Sequence, residues 1–382
     1  MNNGKKVAFA LCYLIAEKLS GNKAELPADI SVLDIFSLAR SHGLGSLTAS
    51  ALSDIALCDE KMNEHRARSV RKILLLDTER AQISAKLSEM GIDHLPLKGV
   101  ILKELYPKLG DREMSDNDIL IDPSRRADVK ALFESRGYRT ESFGGSHDDV
   151  YLKEPIYNFE MHVSLFNDNE STVFAKYFSD ALEKSVVYSG HQRQMSKEDF
   201  YIYVTAHEYK HYSFGGTGLR SLLDAYLFLR ENSDLDGDNV RSGLSALGIS
   251  EYEEKRTALA KKLFDPNTSK ALILGEEKLS EDELSMLAYF LGSGTYGTEK
   301  NRIENELRKK GNGSRAKYIF RRIFPPMEWY EANAPTVYKH KVLIPFFIIK
   351  RLFIKLILSP AKVWRELKTL KKAKGKEDGV SR

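Results

Sequence analysis

The spacing of hydrophobic and polar positions changes several times along this chain, and each change marks an element. Val7, Leu11, Leu14 and Ile15 recur at helical spacing and predict an amphipathic first helix. Ser31 can cap a helix through VLDIFSLARSHG that Gly43 breaks, and SLTASALSD predicts another short one. A longer pattern runs from Glu64 to Met90, with Val70, Ile73, Leu74, Ile83, Leu87 and Met90 on its apolar face, and stops at Gly91. A strand is then expected over Ile92 to Leu97, followed by a Lys98-Gly99 turn and a short helix, VILKELYP, closed by Pro107. MSDNDILID reads as a second strand. A helix from Ser124 to Arg136 ends at Gly137, and strand-like stretches follow at Asp149 to Leu152 and Tyr157 to Leu165. Beyond Phe200 the chain is mostly helical: FYIYVTAHEYKHYSF, LRSLLDAYLFLRE, GISEYEEKRTALAKKLF and SEDELSMLAYFLGSG, the last capped by Ser280 with Glu283 three residues on. The fold class expected is α+β, a small α/β segment between helical regions.

Composition bounds this picture. With 382 residues, 42% of them apolar, the chain is long enough for two or three domains with real cores. Its net charge of +4 is unevenly placed: Lys309 to Arg382 holds nineteen Lys and Arg against five acids, +14, and the remainder sums to −10. A basic end of this kind suits an anionic surface, or is simply solvated. Two cysteines, Cys12 and Cys58, exclude a disulfide framework and fit a reducing cytoplasm. Lys5 and Lys6 ahead of Val7 to Ile15 imitate a signal peptide. The run continues into AEKLSG without a small-residue cleavage site, and Leu11 before Cys12 makes a poor lipoprotein site. No stretch reaches the length of a membrane span. The most apolar one, LIPFFIIKRLFIKLIL from Leu343 to Leu358, is interrupted by Lys350, Arg351 and Lys355. Packing on the protein core is the favoured expectation for it, and docking on an anionic membrane surface is the alternative. KKAKGKEDGVSR reads as a disordered basic end.

The densest chemistry lies between Ile92 and Glu160. Asp116 and Asp118 flank Asn117 at the head of a strand, and alternation points the two acids the same way. Carboxylates that close repel and raise each other's pKa unless a cation lies between them, which makes a divalent-metal site the functional reading. A polar strand end meeting an Asp-Pro turn explains a bare Asp-x-Asp more readily. In NFEMHVSLF, Glu160 and His162 share one strand face, with Phe159, Met161 and Val163 on the other. The Lys98-Gly99 turn, where backbone N–H groups can approach a phosphate beside a lysine, is a workable anion cradle, although the dipeptide alone says little.

The order of these residues is more specific than any one of them. LPLKG, then Arg112 four before Asp116, the Asp116/Asp118 pair, and Glu160-Met161-His162 resemble the uncharacterised bacterial nucleotidyltransferase family of the polymerase β-like superfamily. The likeness continues through the His207-x-x-x-His211 helix with LRSLLDAYLFL after it, the GTYGT turn at Gly294 to Thr298, and RRIFPPMEWY, spanning Met90 to Trp364. The resemblance implies a metal-dependent nucleotidyltransferase with a small mixed-sheet catalytic core at 91–195. A helical N-terminal region at 1–90, a helical C-terminal domain at 196–370 and a basic tail at 371–382 flank it. It implies that Asp116, Asp118 and Glu160 hold two divalent ions, Mg²⁺ or Mn²⁺. Lys98, Gly99 and Arg112 would hold the phosphates of a nucleoside triphosphate such as ATP, although Arg112 is equally open to a structural pairing with a carboxylate. Asn117 stands where an aliphatic residue is common and is expected to strain packing on the side away from the metals. Around the site the expectation places His162, His207, His211, Arg220 and Asp224, the two helical histidines either facing the nucleotide or bracing Arg220 and Asp224. The acceptor is open: a small molecule, an RNA 3′ end and a protein hydroxyl would all use the same three acids.

A rival motif is His207-Glu208-Tyr209-Lys210-His211, which satisfies H-E-x-x-H, where two histidines a helical turn apart bind zinc and the glutamate polarises water. No third ligand follows at the extended-motif spacing, Asp224 being thirteen residues past His211. A zinc hydrolase is therefore the second reading, and a catalytically inactive nucleotide-binding or interaction module the third.

Overall fold

The structure, a computed structural model, describes residues 3–308, 315–327, 329–330, 334–358, 360, 364, 366 and 368–370; the basic end at 371–382 lies outside the described residues. Contacts divide the chain into two units, Met1–Tyr209 with Gly218–Thr295, and Lys210–Thr217 with Tyr296–Arg382.

The first unit holds a seven-stranded sheet of β1 (His94–Pro96), β2 (Asn117–Ile121), β3 (Arg139–Ser142), β4 (Asp148–Lys153), β5 (Tyr157–His162), β6 (Val186–Ser189) and β7 (Gln192–Gln194), in the order β3-β4-β5-β2-β1-β7-β6. β2 runs parallel to β5 and antiparallel to β1, so the sheet is mixed, and helices flank it as an α+β fold requires. Those preceding and within it are α1 (Asn3–Leu19), α2 (Val32–Ser41), α3 (Gly45–Asp54), α4 (Glu60–Glu89), α5 (Gly99–Leu102), α6 (Arg126–Ser135), α7 (Asp168–Tyr177) and α8 (Ala181–Lys184). After it come α9 (Lys197–Phe214), α10 (Leu219–Glu231), α11 (Gly237–Ala246), α12 (Ser250–Phe264), α13 (Pro266–Leu274) and α14 (Glu281–Ser293).

Strand alternation gives the sheet two different faces. Ile119 and Ile121 of β2 and Phe159 and Met161 of β5 turn toward Ile83 and Leu87 of α4 and Val129 and Phe133 of α6, all fully buried. Asp118, Leu120, Glu160 and His162 turn the other way, where Leu120 packs with Leu95, Leu97 and with Phe200 and Tyr203 of α9. Each fully buried Ile, Phe or Met contributes about 1.5–3 kcal/mol. A one-residue slip of either strand would put carboxylates into the first core, so the hydrophobic set fixes the register that brings the acids together.

Several local expectations hold to the residue. Ser31 Oγ accepts from the Asp34 amide at 3.2 Å, and Ser280 with Glu283 forms a capping box at α14. Others do not. The first helix is enclosed rather than amphipathic: every residue from Val7 to Glu17 is buried, because α2 and α3 as well as α12 and α13 pack around α1. Leu74 is exposed, and Leu76 takes its place in the core of α4. Asn117 is not strained, since its Nδ2 donates to the Leu76 carbonyl at 3.3 Å and its Oδ1 accepts from Arg80 Nη1 at 3.4 Å.

The second unit contains α15 (Glu299–Arg308), α16 (Arg315–Ile323), α17 (Pro335–Lys339) and α18 (Ile344–Leu358). The apolar segment that includes α18 is only partly a core element: Ile344, Phe347, Ile348 and Leu352 pack with Trp329, Tyr330 and Val337, while Phe346, Ile349, Phe353 and Ile357 stay exposed. Among the described residues no helix is long and apolar enough to cross a membrane.

Candidate active site

The site forms where β2 and β5 lie side by side. Parallel register sets Asp118 opposite Glu160 and Leu120 opposite His162. Asp116 immediately precedes β2. His162 Nε2 lies 2.9 Å from Asp118 Oδ1 and 4.0 Å from Glu160 Oε2, and Lys98 Nζ lies 3.2 Å from the same Asp118 oxygen. Asp118, Glu160 and His162 each offer a ligand atom within 4.8 Å of the others, and among the described residues this is the group able to share a metal ion.

Electrostatics separates the acids. Burial works against ionisation of Asp118, but Lys98 and the hydrogen bond from His162 outweigh it and hold the carboxyl well below the usual range. Burial raises Asp116, and the Asp118 charge adds to that, with Lys98, Arg220 and Arg112 in opposition. Glu160 is pushed up to about 7, first by burial and then by Asp118 and Asp116. Lys98 is held charged against its own burial by Asp118, Tyr203 and Asp116. Its φ of +42° is the left-handed region, unusual for a side chain with a Cβ, and it holds the lysine at the start of α5, directed at the acids.

Arg112 is committed elsewhere. Its Nε and Nη2 donate to Asp224 Oδ1 and Oδ2, both at 2.8 Å, and the Tyr106 hydroxyl donates to Asp224 Oδ1 at 2.7 Å. The remaining Nη1 lies over Gly99, where a Cβ would come within 2.9 Å of it and 3.3 Å of Met114 Cε. Gly99 is thus needed for the guanidinium's close approach. Arg220, one turn before Asp224 on α10, donates from Nη1 to the Glu113 carbonyl at 2.8 Å.

The geometry now bears on kinship. A sequence model of the family described as "Uncharacterised nucleotidyltransferase" matches residues 29–265. The chain belongs to that family. No curated protein and no solved structure matches it. This nucleotidyltransferase-family chain therefore carries its family match over the sheet, the acidic group and most of the helices around them.

The rival H-E-x-x-H motif lies on α9, and the structure gives its glutamate other work. Glu208 accepts from the Tyr252 hydroxyl at 2.9 Å and pairs with the fully buried Arg256 at 3.5 Å, whose Nη2 donates to Thr205 Oγ1 at 2.9 Å. Burial raises Glu208 to about 7 against the pull of Arg256. His207 has its ring centre 6.2 Å from that of Tyr203, and His211 is exposed. Sequence reasoning missed Tyr203, a buried residue whose hydroxyl is pushed up by burial and which feels Lys98, Asp118 and Glu160. An aromatic at helical spacing carries no signal that separates this position from ordinary core.

Proposed function

We propose that the chain transfers a nucleoside monophosphate from a nucleoside triphosphate to a hydroxyl acceptor, with Asp116, Asp118 and Glu160 as ligands of Mg²⁺ or Mn²⁺. The observation that supports this most is the pairing of Asp118 with Glu160 across adjoining strands, beside Lys98 and Asp116. Three carboxylates lie together in this space, and Glu160 is pushed up to about 7 by burial and then by the charges of Asp118 and Asp116. A hard divalent cation fits the donor set and would return Glu160 to its ionised form.

Divalent ions held by these acids would supply neutralisation of triphosphate charge and a lower pKa for the attacking hydroxyl. What the protein adds is position and field, which phosphoryl-type transfer chiefly needs. Asp118 stays a carboxylate because Lys98 and His162 hold it so. His162, with Nε2 as donor, keeps the Asp118 oxygens aimed, and its buried Nδ1 has no hydrogen-bond partner among the described residues. Lys98 offers its charge to phosphate oxygens. Glu160 serves as ligand or takes the acceptor proton. Of the two roles open to Arg112, pairing with Asp224 favours the structural one: it acts as a positioning residue that packs over Gly99 and sets the turn before α5. The acceptor class is a hydroxyl on a small molecule, an RNA 3′ end or a protein. In this reading residues 91–195 are the catalytic core and the helices on either side support it.

The zinc-hydrolase reading loses its water-polarising group, because Glu208 is engaged by Arg256 and Tyr252. The test of the proposal is incubation with α-labelled nucleoside triphosphates, Mg²⁺ or Mn²⁺, and cell extract. A labelled product is expected from the wild type and none from the Asp116→Ala/Asp118→Ala variant; transfer unchanged in the double variant would remove the site.

A further inference from the structure

Of the 25 large apolar side chains exposed among the described residues, 12 fall between Ile319 and Leu358. Within α18, Ile354 and Leu358 are exposed near its end, and the other four form an ordered set. Phe346, Ile349, Phe353 and Ile357 recur at intervals of three and four, which places them on one stripe of the helix, and each is more than half exposed. The opposite face, Ile344, Phe347, Ile348 and Leu352, is the one docked on Trp329, Tyr330 and Val337. Arg351 fixes the helix further by donating from Nη2 to the carbonyls of Arg322 and Ile323 at 2.6 and 3.1 Å. The helix is thus anchored by one apolar face and presents a second to solvent. Contiguous apolar patches of this kind on a folded surface mark an interaction site.

Charge identifies the occupant. From Ala332 to Arg365 the sequence contains seven Lys and Arg and no Asp or Glu. Lys339 and Lys341 are exposed just ahead of α18, and Lys350 is exposed beside the stripe, next to Ile349. A second copy of this chain would bring two acid-free basic surfaces together. The 15-residue helix, with Lys350, Arg351 and Lys355 in it, is too short and too charged to span a bilayer. An anionic bilayer surface satisfies both requirements at once: lipid phosphates take the lysines while Phe346, Ile349, Phe353 and Ile357 enter the headgroup and acyl boundary.

We propose that α18, with Lys339, Lys341 and Lys350, is a docking surface for anionic phospholipid membranes, held parallel to the membrane plane. It lies outside the family match at 29–265 and is independent of the nucleotidyl-transfer reading.

The experiment is sedimentation of the full-length protein with vesicles of phosphatidylglycerol and phosphatidylethanolamine, compared with neutral phosphatidylcholine. Binding is expected to be at least about tenfold tighter to the anionic vesicles and to weaken as salt rises. Phe346→Asp/Phe353→Asp should lose on the order of tenfold or more, and Lys339→Glu/Lys341→Glu/Lys350→Glu should lose anionic binding, each lysine contributing about fivefold. All five positions are exposed, so the melting temperature should stay at the wild-type value. Absence of binding to anionic vesicles, equal binding to neutral ones, or binding unchanged in both variants would overturn the proposal. So would a dimer in sedimentation equilibrium that Phe346→Asp/Phe353→Asp dissociates while vesicle binding is missing.

Discussion

Glu160→Gln is expected to stabilise the metal-free protein while disabling it. Burial and the neighbouring Asp118 and Asp116 lift this carboxyl from its ordinary 4.5 to about 7. The folded state therefore keeps a proton at Glu160 up to about pH 7, whereas the unfolded chain releases it near 4.5. The metal-free fold accordingly loses stability as pH rises through that window, and the loss is complete above about 7. The full shift corresponds to about 3 kcal/mol; the side chain is 29% exposed, and screening there reduces the figure to about 2 kcal/mol. Asp111 and Glu208 are also raised by burial, to about 6 and about 7, and slope the same way, so the informative quantity is the difference between wild type and variant. Thermal melts of EDTA-treated protein at pH 5 and pH 8 should show Glu160→Gln equal to wild type at the lower pH and about 3 °C more stable at the higher. Mn²⁺ should stabilise the wild type at pH 8 and do little for the variant. Equal melting of the two proteins at both pH values would refute the view that these acids are crowded in the absence of metal.

Other perturbations probe the surroundings of the site. Asp224→Ala leaves the Arg112 guanidinium and the Tyr106 hydroxyl buried without their acceptor, and breaking a buried pair of this kind costs about 3–5 kcal/mol; urea denaturation measures it, and a loss under about 1 kcal/mol would mean the pair is dispensable. Gly99→Ala forces a Cβ to 2.9 Å from Arg112 Nη1, which Asp224 prevents from swinging aside. A destabilisation of about 1–3 kcal/mol, together with weaker nucleoside triphosphate binding by calorimetry, is expected. Arg256→Met strands the Glu208 carboxylate in the core and should destabilise by about 3–5 kcal/mol, whereas Arg256→Met/Glu208→Gln should recover part of that loss. A zinc content that falls with His207→Ala would instead restore the hydrolase reading.

Four of the seven strands, with the acids on them, are legible because their signals are local. Asp118, Glu160 and His162 follow from alternation within two short strands, with Asp116 just ahead of the first, and Ser31, Gly43, Gly91 and Gly137 mark helix boundaries by cap chemistry and positive φ. That β2 lies parallel to β5, and so sets Asp118 against Glu160, is a long-range fact that no local pattern encodes. β3, β6 and β7 were missed because RTES and VVYS are largely exposed, QRQ is half-buried and polar, and none shows a buried alternation. The enclosure of α1 depends on α12 and α13, more than two hundred residues away, and the tie from Arg112 to Asp224 spans 112 positions. The two-sided character of α18 was written in its sequence as apolarity all round the helix; which face would be covered was not.

Mn²⁺ titration of the nucleotide-free protein, followed by electron paramagnetic resonance, tests the central claim most directly. With wild-type protein the free-ion signal should disappear as Mn²⁺ is taken up. Asp118→Asn and Glu160→Gln should each weaken uptake on the order of tenfold or more, and both should retain their fold by circular dichroism. Superimposable titrations of the wild type and both variants would contradict the assignment of these strand acids as the metal site.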